Sequence, residues 1–158
     1  MTPELLIATG IDPALKELKQ FDSREARVFM LAIAFQETAL KRRRQVVGGA
    51  EIGPAAGFWQ FEAGGGAKGV LNHPASRRTM EAMCSAFNVE SDPTALWIAI
   101  RWNDVLAAIA ARLLIWTHPT ALPKTAAEGW QQYLALWRPG KPHPETWDAN
   151  WHRSETMF

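Results

Sequence analysis

Three glutamates lie within a segment whose composition differs from that of the rest of the chain, AFQETALKRRRQVVGGAEIGPAAGFWQFEAGGG at 34–66. Glu37 ends a strongly apolar run, whereas Glu51 and Glu62 lie among glycines, eleven residues apart. A carboxyl on a buried helix facing a cleft loses hydration, so its pKa rises and it can act as a general acid near neutrality. Glu37 is therefore a candidate general acid, and Glu51 and Glu62 are further candidate carboxylates of an active site; the alternative is that all three are solvated surface carboxylates.

The elements around these glutamates can be predicted from capping residues and periodicity. Ser23 is a helix N-cap, and the following ARVFMLAIAFQETAL is apolar nearly all round, which indicates a helix buried in the centre of a domain. Eight of the eleven glycines lie between Gly48 and Gly69, which favours irregular structure with short strands at most, at 45–47 and 57–61.

The remaining chain is predicted to be helical. Thr2-Pro3 and Asp12-Pro13 each resemble an N-cap followed by proline at the first helical position, which predicts two short helices. Further helices are expected at 76–87, from 91 or 92 to before Pro119, in TAAEGWQQYLALW and in HPETWDANWHRSETM. These patterns predict one α+β domain over 1–158, mainly α, with a glycine-rich lobe at about 45–70.

The segment GPAAGFWQFE carries a family resemblance. Gly53, Gly57, Trp59 and Gln60 align with a Gly-x-x-Gly-[Leu/Phe]-x-Gln segment, except that three residues rather than two separate the glycines here. The segment follows a buried helix that ends in Glu37-Thr38. Over residues 23–66 the chain resembles the lysozyme-like superfamily, in particular goose-type lysozymes and soluble lytic transglycosylases.

The resemblance implies a set of site residues. Glu37 would be the catalytic acid, and Glu51 and Glu62 fall where goose-type enzymes carry acidic residues. In an inverting glycosidase, Glu62 or Glu51 would be the carboxylate that activates water. The residues expected at the substrate are Thr38, Gly57, Trp59, Gln60 and Tyr133, with the Trp59 indole stacking on a sugar ring. Thr38 stands where the family has serine. Tyr133, the only tyrosine, is followed by leucine where transglycosylases have asparagine.

The implied activity is cleavage of the β-1,4 bond between N-acetylmuramic acid and N-acetylglucosamine in peptidoglycan, by a hydrolase or a lytic transglycosylase. A transglycosylase would need only Glu37, because the acetamido group and 6-hydroxyl of the substrate complete the reaction. Two alternatives stay open: a non-catalytic phage structural or interaction protein on the same scaffold, and a family 19 chitinase-like glycosidase.

Composition limits the partners and cofactors. With 17 Lys+Arg against 16 Asp+Glu, the net charge of +1 gives no overall preference for nucleic acid. The basic run 41–44 would either cap the preceding helix or attract an anionic wall polymer. Cys84 is the only cysteine and the four histidines lack metal-site spacing, so we expect neither metal nor cofactor.

The sequence also gives expectations about location. No apolar run approaches the ~18 residues of a membrane span, so we expect no stable membrane insertion. The N-terminus lacks the features of a secretory signal. We expect a monomer made in the host cytoplasm that acts at the cell wall or periplasm, or is carried in a virion, as a phage or prophage endolysin would be.

Overall fold

Nine α-helices form most of the chain in the computed structural model, which describes residues 1–158. They are α1 (Pro3–Leu6), α2 (Asp12–Glu17), α3 (Arg24–Thr38), α4 (Lys68–Asn72), α5 (Arg77–Ala86), α6 (Pro93–Ile100), α7 (Asp104–Trp116), α8 (Ala126–Trp137) and α9 (Pro144–Glu155). Ile7–Ile11 and Ala63–Ala67 form π-helical turns, and Lys19–Phe21 forms a 3₁₀ turn. The prediction of a mainly α fold is confirmed. None of the helices combines the length and apolarity needed to cross a bilayer.

Helix α3 is the buried centre of the molecule, as predicted. The Ser23 hydroxyl accepts a hydrogen bond from the Ala26 amide at 3.2 Å and fixes the start of the helix. From Val28 to Phe35 every side chain is buried. The helix packs most extensively against α9 and also contacts α7. Because full burial of one large apolar side chain contributes about 1.5–3 kcal/mol, this run is a major source of stability.

Two predicted helix boundaries differ in the structure. The two short helices expected at the start form one continuous helical path, because α1, the π-helical turn and α2 follow each other without a break. Thr2 caps α1 as predicted, but Asp12 does not cap α2. Its carboxylate instead accepts a hydrogen bond from Arg27 Nη1 at 2.5 Å, which connects this segment to α3.

The long helix predicted from 91 or 92 to before Pro119 is divided into α6 and α7. Asn103 starts the second helix, because its side chain accepts from the Leu106 amide at 3.0 Å. Both carboxylate oxygens of the next residue, Asp104, accept from the Arg43 guanidinium. The break therefore brings the start of α7 into contact with the basic segment that follows α3.

The glycine-rich lobe contains less strand and more helix than predicted. Three isolated antiparallel bridges are present, between Arg44 and Ala56, Val47 and Ala50, and Ala56 and Phe61. They take the place of the short strands predicted at 45–47 and 57–61. From Ala63 onward the lobe is helical, through the π-helical turn and α4. The irregular part of the chain is thus the connection between α3 and residue 62.

Helices α8 and α9 pack through aromatic side chains around a single glycine. A Cβ atom at Gly129 would overlap the Trp151 indole and lie 3.1 Å from Cζ2 of Trp147. Trp147 and Trp151 are each only 2% exposed. The interface therefore requires the absence of a side chain at Gly129.

We expect Gly129→Ala to destabilise the protein by about 1–3 kcal/mol, because the added methyl overpacks this interface. Helix propensity alone predicts that the same substitution would stabilise the protein, by up to about 1 kcal/mol. Gly69→Ala in α4 is the matched control, since its added Cβ would meet only Leu114 Cδ1 at an ordinary 3.9 Å. Urea unfolding at constant pH measures both; equal effects of the two substitutions would contradict the packing assignment.

Candidate active site

Glu37 lines an open pocket of about 490 Å³ at the carboxyl end of α3. The other lining residues are Phe35, Gln36, Thr38, Ala39, Arg42, Arg44, Gln45, Val46, Gln60, His143, Thr146 and Asn150. They come from the end of α3, the irregular lobe and the start of α9. Glu37 is the one carboxylate among them, and two arginines share the pocket with it.

The Glu37 carboxyl is poorly hydrated and has one hydrogen-bond donor among the side chains. Tyr133 Oη donates to Glu37 Oε1 at 2.7 Å. Desolvation raises the pKa of Glu37 to about 7, while the Tyr133 hydrogen bond favours the carboxylate and acts in the opposite direction. At neutral pH a substantial fraction of Glu37 is therefore protonated, as a general acid requires.

Tyr133 is held in place by aromatic packing. Its ring stacks on Trp147 at a centroid distance of 5.2 Å and on Trp137 at 6.4 Å. The side chain is buried, and desolvation followed by the adjacent Glu37 charge raises the pKa of its hydroxyl. Tyr133 therefore stays protonated and acts as a fixed donor to Glu37. Its predicted role at the substrate becomes an indirect one, because the buried ring positions the acid.

A strained turn follows Glu37 directly. Ala39 and Leu40 both have left-handed backbone conformations, with φ of 47° and 57°. Two consecutive non-glycine residues in this region cost free energy, and such strain is common at functional sites. Thr38 stabilises the turn, because its hydroxyl lies 3.0 Å from the Ala34 carbonyl and accepts from the Leu40 amide at 3.2 Å. Thr38 thus both lines the pocket and fixes the end of α3.

The segment from Gly57 to Gln60 forms a tight turn closed by the Ala56–Phe61 bridge. Gly57 has φ of +73°, and a Cβ there would lie 3.0 Å from the Ile100 carbonyl oxygen. Gln60 also has a positive φ, and its Nε2 donates to the Gly57 carbonyl at 2.8 Å. Gln60 lines the Glu37 pocket, and its contact with substrate stays a prediction. Gly57 is buried, so its predicted contact with substrate is wrong and its role is conformational.

The prediction that Trp59 stacks on a sugar ring is also wrong. Its side chain is 0% exposed, and the indole Nε1 donates to the Met30 carbonyl of α3 at 2.8 Å. The Trp59 carbonyl in turn accepts from Trp137 Nε1 at 2.7 Å. Trp59 therefore anchors the lobe to α3 and α8, and this anchoring fixes the neighbouring Gln60.

The structure does not bring Glu62 or Glu51 into the pocket of Glu37. Glu62 is exposed and lines a neighbouring pocket together with Gly64–Gly66 and His73. Glu51 is exposed beside the Val47–Ala50 bridge and lines a third depression. Glu51 precedes and Glu62 follows the turn that the Ala56–Phe61 bridge closes, and both side chains are exposed to solvent outside the Glu37 pocket. Gln60 lines both the Glu37 pocket and the Glu62 pocket.

Helix α9 contributes a wall of the pocket that was not predicted from the sequence. Gln36 Nε2 donates to the His143 carbonyl at 2.9 Å, and Gln36 Oε1 accepts from Thr146 Oγ1 at 3.0 Å and Asn150 Nδ2 at 2.8 Å. The available signal was the pair Gln36-Glu37, since a second polar side chain at the end of a buried helix needs partners. The proline-rich segment RPGKPHP at 138–144 does not indicate that the residues after it lie beside Gln36.

Two side chains of the basic run 41–44 make contacts within the fold, and the other two are exposed to solvent. Arg43 pairs with Asp104, and Arg44 Nε donates to the Gly53 carbonyl at 2.9 Å. These contacts attach the lobe to α7 and to itself, in place of the predicted helix capping. Lys41 and Arg42 are exposed, and Arg42 lines the Glu37 pocket.

Comparison with known proteins gives no match: no family model, no curated protein and no solved structure is similar to this chain. The site must therefore be interpreted from its own geometry.

We expect Glu37→Gln to stabilise the protein at pH 8 and to have little effect at pH 4. The pKa of Glu37 is about 7 in the folded state and near 4.5 when hydrated, so the folded protein retains a proton that the unfolded chain releases. The wild type therefore loses up to about 3 kcal/mol of stability as pH rises from 4.5 to 7, and glutamine removes this loss. Urea unfolding at both pH values measures the difference.

Glu62→Gln is the matched control, because it removes the same charge from an exposed side chain. A stability gain for Glu37→Gln that is the same at pH 4 and pH 8, or one that the control reproduces, would show that Glu37 is not desolvated.

Proposed function

We propose that this protein cleaves the β-1,4 glycan strand of peptidoglycan with Glu37 as its single catalytic carboxyl, by the route of a lytic transglycosylase. The observation that most directly supports this proposal is that Glu37, whose pKa is about 7, is the only carboxylate that lines its pocket. The resemblance over residues 23–66 supplies the substrate class.

The absence of a second carboxylate in the pocket argues against direct inversion. An inverting glycosidase needs an acid and a base about 6.5–9.5 Å apart on opposite faces of the sugar. Glu51 and Glu62 line other depressions, and the Glu37 pocket offers arginines, amides and a histidine instead. A reaction in which the substrate supplies its own nucleophiles fits this set of side chains better.

In the first step the protonated Glu37 gives its proton to the glycosidic oxygen as the bond from that oxygen to C1 of the muramic residue breaks. The carbonyl oxygen of the 2-acetamido group attacks C1 and forms an oxazolinium ion. Glu37, now a carboxylate, then takes the proton of the 6-hydroxyl, and O6 attacks C1 as the bond between C1 and the acetamido oxygen breaks, which restores the acetamido group. The product is a 1,6-anhydro sugar, and Glu37 is protonated again.

Tyr133 and Gln60 fit this cycle as positioning groups. The Tyr133 hydroxyl stabilises the carboxylate that forms after the first proton transfer, without removing the proton beforehand, since the pKa remains about 7. Gln60 lies where two pockets adjoin, which suits a polymer that extends beyond one sugar. Exposed Arg42 suits the carboxylates of the peptide stems that peptidoglycan carries.

The test is digestion of purified peptidoglycan followed by mass spectrometry of the released fragments. We expect products with 1,6-anhydro ends, and Glu37→Gln should lower the rate by about 10²–10⁴-fold, the usual contribution of a general acid. Glu51→Gln and Glu62→Gln are matched controls that remove one carboxylate each and should retain activity within about three-fold, because neither lines the Glu37 pocket.

Each other result would overturn part of the proposal. Reducing muramic ends together with loss of activity in Glu51→Gln or Glu62→Gln would indicate a two-carboxylate hydrolase. Release of fragments from chitin oligomers but not from peptidoglycan would indicate a chitinase-like enzyme. No release from either substrate, by a wild-type protein shown to be folded, would indicate a non-catalytic protein on this scaffold.

A further inference from the structure

The depression that Glu51 lines, of about 440 Å³, adjoins the Glu37 pocket at Arg42 and has a different character. Its lining combines apolar side chains (Met1, Leu5, Leu40, Phe58 and Trp102) with cations (Lys41, Arg42, Arg43 and Arg101) and one carboxylate, Glu51. Apart from Arg42, no residue of this surface has a role in the proposed reaction, and we call the surface the basic–apolar face.

Apolar side chains on the basic–apolar face are unusually exposed. Trp102 is 68% exposed, Leu5 49% and Met1 41%, so three of the seven exposed large hydrophobic residues of the chain lie here together. Isolated exposed apolar residues need no explanation, but a contiguous group of them marks an interaction surface. Trp102 follows α6 in the turn that precedes Asn103, where the indole projects without a hydrogen-bond partner among the side chains.

The charge of this face is positive. Lys41, Arg42 and Arg101 form no ion pairs, whereas Arg43 is neutralised by Asp104. Glu51 is the one acidic residue of the lining, so the free cations outnumber the carboxylates. The Arg101 guanidinium lies 4.7 Å from the centroid of the Trp102 ring, which holds a cation and an aromatic side chain together at the surface.

We propose that the basic–apolar face binds the surface of an anionic lipid bilayer, with Trp102 and Leu5 entering the interfacial region and Lys41, Arg42 and Arg101 contacting lipid phosphates. Cations attract an anionic headgroup layer, and tryptophan is favoured at the boundary between headgroups and acyl chains. The apolar side chains favour a bilayer over a soluble polyanion as the partner. Transfer of Leu5 and Met1 into hydrocarbon is favourable, whereas a hydrophilic polyanion offers them no apolar contact. The binding is peripheral and requires no spanning segment.

The basic–apolar face adjoins the Glu37 pocket. Arg42 lines both the Glu37 pocket and the basic–apolar face. A protein docked through this face would hold its pocket close to the membrane surface. The inference does not depend on glycan cleavage, because Arg42 is the one proposed lipid contact that also lines the Glu37 pocket; Leu5, Lys41, Arg101 and Trp102 do not.

The test is flotation of the intact protein with vesicles of phosphatidylglycerol and phosphatidylcholine, compared with vesicles of phosphatidylcholine alone. We expect binding to the mixed vesicles at low salt and its weakening as salt screens the charges. Lys41→Gln/Arg42→Gln should lower the partition coefficient by about 25-fold, because each cation near an anionic surface contributes about five-fold. Trp102→Ala should lower it by about ten-fold through lost apolar contact.

Arg77→Gln/Arg78→Gln is the matched control, because it removes two exposed cations at the start of α5 that do not line this face. It should bind mixed vesicles within about two-fold of the wild type. The proposal is overturned if mixed vesicles bind no better than phosphatidylcholine alone, or if the control loses as much binding as Lys41→Gln/Arg42→Gln. Binding to soluble polyglutamate without vesicle binding would overturn it too, and would assign the face to a polyanion.

Discussion

The desolvation of one carboxyl group, that of Glu37, determines how the surrounding structure is arranged. A carboxylate removed from water costs free energy, so the fold must be stable enough to carry it. The buried run of α3 provides that stability on the same helix that presents Glu37. The Tyr133 hydrogen bond limits the cost by stabilising the ionised form. The group is thereby balanced between its two protonation states near neutral pH.

That balance depends on segments that are distant in the chain. Tyr133 lies 96 residues after Glu37 and is fixed by the stacking of Trp147 and Trp137. Trp59 attaches the irregular lobe to α3, and the Gln36 hydrogen bonds attach the start of α9. Each connection is made by a side chain that contacts a different element through a hydrogen bond or ring stacking. The pocket exists because these elements pack on the end of α3, and local sequence alone does not create it.

The sequence predicts the parts of this arrangement that depend on local chemistry. Ser23 as a cap and the apolar run after it predict α3 correctly, and the helices α5, α8 and α9 also follow from local patterns. Asn103 was missed because the apolar pattern continues across it while its cap forms in the middle of the run. The prediction for Trp59 was wrong because its glycine-rich neighbours suggested an exposed side chain. The indole is instead buried and donates to the Met30 carbonyl of α3. Glu51 and Glu62 were grouped with Glu37 by their spacing along the chain. Spacing does not determine whether residues on either side of a closed turn face the same pocket.

The most direct measurement is the titration of the Glu37 carboxyl by carbon-13 NMR with labelled glutamate, assigned by comparison with Glu37→Gln. A midpoint near pH 7 is predicted, and it should move higher in Tyr133→Phe, because that variant loses the donor that favours the carboxylate. A midpoint near 4.5 that Tyr133→Phe leaves unchanged would contradict the account, since Glu37 would then be a hydrated carboxylate that is already ionised at neutral pH.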